Sequence, residues 1–176
     1  MTVVANLAIV LATIVATEWA ARWIHQFVMH GPGWGWHKSH HEQHNGVLEK
    51  NDLYAIGFAA VAVSLLVLAP HEAGSLYWIG VGMSVYGFLY FVVHDGMTHG
   101  RWPLRYVPRR GYLKRLVQAH RLHHAIATRS GAVSFGFLYA PSVRTLRRQL
   151  REQRTRETVP SRVEQGRPEE RHTGLP

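Results

Sequence analysis

The sequence predicts an all-α, integral membrane protein, with about three to four apolar helices and cytoplasmic helices that carry a two-metal histidine cluster. Two observations predict it: long apolar runs that end in polar segments, and ten of the thirteen histidines falling into a doubled pattern. Each half of the pattern holds a pair with four residues between its histidines, then a trio spaced H-x-x-H-H. His25 and His30 precede His37, His40 and His41, while His94 and His99 precede His120, His123 and His124. Neutral imidazole binds divalent transition metals strongly, and histidines three and four apart on a helix share one face. Any one histidine alone reads best as a satisfied core or surface residue. Ten in a repeated spacing would leave many unpaired polar groups unless a metal gathers them.

A length of 176 residues suits one domain. We expect a membrane metal-binding unit over 1–141 and a tail over 142–176 that passes from basic and amphipathic to disordered. The absence of cysteine excludes disulfides, thiolate zinc sites, iron–sulfur clusters and covalent c-type haem. A net charge of +9 could suit nucleic acid. The cations, however, gather after Gly100 and beside apolar runs, which favours a membrane surface over a nucleic-acid partner. The mean hydropathy of −0.11 averages apolar segments with a polar tail.

Val3 to Ile24 is long enough to cross a hydrocarbon core of ~30 Å at ~1.5 Å per residue. It lacks the basic start of a cleaved signal peptide and runs directly into His25. Glu18 and Arg22, four apart near its end, are placed to pair or to approach the metal site. Gly31-Pro32-Gly33 then breaks the helix. A short helix carries His37, His40 and His41 as one stripe. His44 extends that stripe, as a ligand or as a partner of one. Asn51 or Asp52 suits the cap of the next helix. Leu53–Ala69 and Leu76–Val93 form an antiparallel apolar pair, and His71 in their link is a solvated loop residue. The basic block from Arg101 to Arg115 suits the headgroup level, and Leu113–His124 reads as the helix bearing the second trio. Ala132–Ala140 is apolar but too short to span, so it is expected to enter the membrane or lie at its surface. Val143, Leu146 and Leu150 make a thin amphipathic stripe, and from about Gln153 the composition favours disorder. Loop charge places the N-terminus outside and both histidine groups on the cytoplasmic side.

Residues five apart on an ideal α-helix point ~140° apart. His25 with His30, and His94 with His99, therefore need unwinding, for which Gly31, Gly96 and Gly100 offer places. Ten imidazoles exceed what one metal takes; two metals, each with four or five ligands and an open position, account for them. A structural zinc site would close at four ligands. A bis-histidine haem would need histidines inside the spans. Asp95, Glu42 and Asp52 are candidates to orient imidazole N–H groups, with solvated interfacial charge as the alternative for each. Trp34, Trp36, Phe135, Phe137 and Tyr139 suit either a polyene tunnel or an interfacial belt.

The strings IHQFVMHGPGWGWHKSHHEQH, LEKNDLYA, YFVVHDGMTHGRWPLRYVPRRGYLKR and QAHRLHHAIATRSGAVSFGFLYAP resemble the membrane-bound, histidine-rich di-iron oxygenases of the fatty acid hydroxylase and desaturase superfamily. Within it, they are most similar to the bacterial β-carotene hydroxylases. The resemblance covers roughly Thr17 to Pro141, and Gly100 departs from the Gln expected there. It implies two irons held by His25, His30, His37, His40, His41, His94, His99, His120, His123 and His124. It also implies O2-dependent hydroxylation of carotenoid β-ionone rings at C3 and C3′, from β-carotene through β-cryptoxanthin to zeaxanthin, with canthaxanthin as an alternative substrate. Ring hydrogen abstraction and hydroxyl rebound would need no side chain as general base. Electrons would come from an external reductase chain of ferredoxin type, since the chain has no flavin or nicotinamide fingerprint. The spacing alone also fits a fatty acid or sterol oxygenase or desaturase. A metal transporter fits poorly, because the apolar runs hold no histidine before their ends and, apart from Glu18, no charge.

Overall fold

A computed structural model of the chain describes residues 2–42, 48–69, 74–101 and 106–158. Among these residues the regular structure is helical throughout, with no strand. Helix α1 (Val3–Trp23) starts at Thr2, whose hydroxyl accepts the Ala5 N–H at 3.2 Å. It passes without a break into a π-helical turn over Ile24–Met29. Helix α4 (Ser75–Tyr90) continues in the same way into a π-helical segment over Phe91–Thr98. Among the described residues, the rods Val3–Met29 and Ser75–Thr98 are the two helices long and apolar enough to cross a membrane. Only 11% and 22% of their most apolar windows are buried inside the protein, which argues against the core helices of a soluble fold. Leu7, Leu11, Val15 and Trp19 form an exposed apolar stripe along α1 at four-residue intervals. In lipid such a stripe costs nothing, because the helix satisfies its own backbone.

The third apolar run forms α3 (Asp52–Leu68), whose 17 residues reach ~26 Å, short of the ~30 Å hydrocarbon core. Ala132–Ala140 forms no further apolar helix: it is irregular chain packed over the histidines. Helix α4 packs on both α1 and α3. Gly82 permits the closer of these approaches: a Cβ there would lie 2.7 Å from the Cβ of Thr13.

Helices α2 (Trp34–His41) and α5 (Gly111–His123) carry the two trios. Helix α6 (Val143–Thr158) closes the described chain. Leu146 and Leu150 are buried against Leu116, Ala119 and Val133, as the stripe predicts, whereas Val143 is only half-buried. The sequence predicts disorder from about Gln153, but the helix runs on to Thr158. Arg, Gln and Glu are good helix formers, so a helix anchored by two leucines can propagate without apolar periodicity. An Arg148–Glu152 ion pair at 3.6 Å lies along its outer face. His44, His71 and His172 lie outside the described residues.

Candidate metal centre

The histidine pairs sit at the ends of the two rods, and the π turns are what align them. The His30 N–H donates to the His25 carbonyl and the His99 N–H to the His94 carbonyl, each at 3.0 Å. This i→i+5 bond closes one wide turn, so residues five apart return to the same side. The sequence predicts unwinding at the glycines. The structure instead widens the helix across each pair and ends it at the second histidine, His30 or His99, which is the C-cap. The trios need no such device, because α2 and α5 are regular through them.

The ten imidazoles form two sets. His25, His30, His37 and His123 present ring nitrogens within 4.8 Å of one another, as do His40, His94, His99 and His120. His41 joins the first set, its Nε2 3.2 Å from that of His37, and His124 joins the second, 2.9 Å from His120. The halves of the sequence are interleaved: His123 crosses into the first set and His40 into the second. In each trio the outer two histidines, four apart, serve one set and the middle histidine serves the other. The rings of His41 and His124 stack at 4.5 Å between the sets.

The hydrogen bonds on the far side of the rings fix which nitrogen points inward. His25 Nδ1–H donates to the Phe135 carbonyl, His30 to Arg129, His41 to Ile126 and His123 to Val133, all at 2.9–3.0 Å. His37 donates to Asn51 Oδ1 at 2.7 Å, His40 to Glu49 Oε1 at 2.9 Å and His94 to Asp95 Oδ1 at 2.7 Å. Every partner is an acceptor, so these seven rings carry the proton on Nδ1 and leave the Nε2 lone pair bare.

Bare lone pairs then face each other: Nε2 of His25 and His37 are 3.0 Å apart, His40 and His94 3.1 Å, and His30 and His123 3.2 Å. Two acceptors so close repel unless a cation lies between them. Donors at right angles around an ion, with metal–nitrogen bonds of ~2.1 Å, stand ~3.0 Å apart. The donor set therefore fits a pair of transition-metal ions, with the tautomers already set for it. Burial also keeps the rings neutral, as ligation requires. It pushes His99 and His41 down to about 4 and His37 to about 3. His124 falls to about 2, where the His41 and His99 rings add to burial.

Of the acidic residues singled out in the sequence, Asp95 holds His94. Glu42 instead forms a surface ion pair with Lys38 at 3.2 Å. Asp52 accepts the Glu49 N–H at 2.9 Å and an Arg101 N–H at 2.8 Å, and Arg101 also pairs with Glu49. Its tie to the site therefore runs through Glu49, the partner of His40. Of Asn51 and Asp52, the two cap candidates, Asn51 takes the N-cap position of α3 but makes no side-chain capping bond and turns its amide to His37. Glu49, Asn51 and the four loop carbonyls carried no signal in the sequence beyond lying in polar or short apolar connections. Glu18 does not reach Arg22 or the histidines. Its carboxylate, buried beside α4, accepts the N–H groups of Phe137, Leu138 and Tyr139 and the Tyr86 hydroxyl, all at 2.9–3.1 Å. Arg22 lies over the Trp19 ring instead.

The aromatic candidates divide. Trp34 packs on His30, His37 and His41, and Phe135 on His25, His30 and His123. Trp36 and Tyr139 are exposed, the latter against Trp19. Phe137 stacks on His25 at 5.1 Å and meets His94 edge-on at 5.4 Å. It also lines an apolar cavity of about 690 Å³ floored by α4 and flanked by α1 and α3.

Apolar rods ending in two facing polyhistidine sets define a membrane-associated protein with a histidine metal-binding cluster. The sequence profile of the fatty acid hydroxylase family matches residues 10–141, and the chain belongs to that family. A β-carotene hydroxylase of Paracoccus sp. (strain N81106 / MBIC 01143) is 55% identical over 147 residues, 83% of this chain and 91% of its own. One of Pantoea ananas is 50% identical over 169 residues, 96% and 97% of the two chains. One of Pseudescherichia vulneris is 52% identical over 151 residues, 86% of each. No solved structure matches the chain.

Proposed function

We propose that this chain hydroxylates carotenoid β-ionone rings at C3 and C3′, converting β-carotene through β-cryptoxanthin to zeaxanthin, at two irons held by its ten clustered histidines. The observation that carries the reading is the pair of inward-facing Nε2 sets beside an apolar cavity, in a chain half identical to β-carotene hydroxylases along nearly its whole length. His25, His30, His37, His41 and His123 would hold one iron. His40, His94, His99, His120 and His124 would hold the other.

The irons, when bound, supply the activation of O2, and the balance is R–H + O2 + 2 e⁻ + 2 H⁺ → R–OH + H2O. The chain's own residues do the rest. The loop carbonyls, Asn51, Glu49 and Asp95 lock the Nε2 lone pairs inward, which removes reorganisation from metal binding. The apolar walls of α1, α3 and α4 exclude water and accept a hydrocarbon ring from the lipid. No side chain need act as a general base. The electrons come from an external donor of ferredoxin type. Cations after Gly100 support a cytoplasmic placement of the histidines in the bacterial inner membrane, with the N-terminus outside.

The test is expression in a bacterium engineered to accumulate β-carotene, with the extract analysed by chromatography and mass detection. Zeaxanthin and β-cryptoxanthin are expected with the intact chain and not with His123→Ala. Unchanged β-carotene, with the protein in the membrane and loaded with iron, would overturn the substrate and point to a ketolated carotenoid or another lipid.

A further inference from the structure

The cavity flanked by α1 and α3 ends, towards the histidines, in Met29, Asn51, Tyr90, Asp95 and Phe137, and none of the described histidines lines it. Two aromatic rings stand at that end. Tyr90 stacks on His94 of the second set at 4.5 Å. Phe137 touches both sets: His25 of the first at 5.1 Å, and His94 and His120 of the second at 5.4 and 6.3 Å. The two rings meet edge to face at 4.9 Å. A ring entering from the lipid thus meets Phe137 and Tyr90 before it meets either set of imidazoles.

Phe137 is not a free side chain on a loose loop. The Glu18 carboxylate, only 8% exposed, gathers the N–H groups of residues 137–139 and is steadied by Tyr86. Gly136 makes the approach possible, because a Cβ there would lie 2.7 Å from Glu18 Oε1. A buried carboxylate in an apolar span is costly unless its acceptors are filled. Its three N–H donors all come from the segment carrying Phe137, so the cost of burial is offset only while that loop stays in place.

We infer that Phe137, held in place by Glu18, is the stop that sets how far a cyclic apolar end group advances from the cavity towards the two metals. It thereby determines which ring carbon is presented to them. The inference rests on the carotenoid reading above. An apolar wall discriminates by a methylene or two at roughly tenfold or more in rate, enough to choose between adjacent ring carbons.

The experiment compares full-length wild type with Phe137→Ala, Phe137→Leu, Phe137→Trp and Glu18→Gln in the β-carotene-accumulating bacterium. Product positions are read by chromatography and mass spectrometry, and metal content is read on the purified protein. With metal content kept, Phe137→Ala and Phe137→Leu are expected to shift the ratio of C3 to neighbouring-carbon products by roughly tenfold or more. Phe137→Trp is expected to shorten the cavity and cut turnover by a similar factor. Glu18→Gln, a change at a positioning residue, is expected to move the ratio in the same direction as Phe137→Ala. A wild-type product ratio in both Phe137→Ala and Phe137→Leu would overturn the inference. So would loss of metal in both, which would make the ring packing for His25. Unchanged β-carotene with the wild type would overturn the substrate reading instead, and is told apart because it appears without any substitution.

Discussion

At the scale of residues, seven of the ten inward lone pairs are set by an outward acceptor on the far side of the ring. Asn51 and Asp95 fix the tautomers of His37 and His94 from one side chain each. Asn51→Leu should lower metal affinity by ~10–100-fold, with the fold retained. Metal per chain, measured after dialysis against a graded chelator, checks this. The interleaving of the sets makes a sharper prediction. His123→Ala and His40→Ala sit in opposite halves of the sequence from the sets they serve. Each should cost about one metal per chain rather than both, while turnover is lost in either. Loss of both metals from each single variant would contradict the assignment of two separate sets. His172→Ala should leave metal content and turnover unchanged.

At the scale of elements, the two π-helical turns do what an α-helix cannot. They return residues five apart to one side, just where each rod meets the polar region. Inserting one alanine between Val28 and Met29 would put His25 and His30 six apart, a spacing that neither a π turn nor an α-helix returns to one side, and so swing the two rings apart. The expected result is a folded protein that retains metal in the second set only, checked by metal analysis and circular dichroism together. Helix α6 makes the opposite case, an element whose anchoring is simple burial. Leu146 is 1% exposed, so Leu146→Ala should cost ~2–5 kcal/mol of stability, read as a lower melting temperature in detergent.

At the scale of the whole molecule, crowding so many imidazoles makes the metal-free protein sensitive to acid. His37, His41 and His99 ordinarily titrate at 6.5, but burial lowers them to between about 3 and 4 in the folded chain. Below pH 6.5 the unfolded chain takes up protons that the folded chain refuses, so stability falls as the pH drops from 6.5 towards the folded values. Above 6.5 these groups are neutral in both states and contribute no pH dependence. Melting of chelator-stripped protein in detergent at about pH 7.5 and about pH 5 checks the sign. Metal-loaded protein should hold its stability further into acid, because bound metal competes with protons for the same nitrogens.

By itself the sequence determined the helical class, the two long apolar rods and the doubled histidine spacing, because a period of 3.6 and a repeated spacing are local properties of the chain. The kinship rested on the strings around those histidines, and the expectation of two metals on their number. Only the tertiary structure decided how His40 and His123 trade sets, since that exchange depends on how α2 and α5 face each other. It alone showed that Glu49, Asn51 and four loop carbonyls, rather than Glu42, orient the rings, because a backbone carbonyl leaves no mark on residue type. It also sent Glu18 to the loop at Phe137, more than a hundred residues away. A buried carboxylate goes wherever unpaired N–H groups are brought to it, and no spacing within α1 encodes where that is.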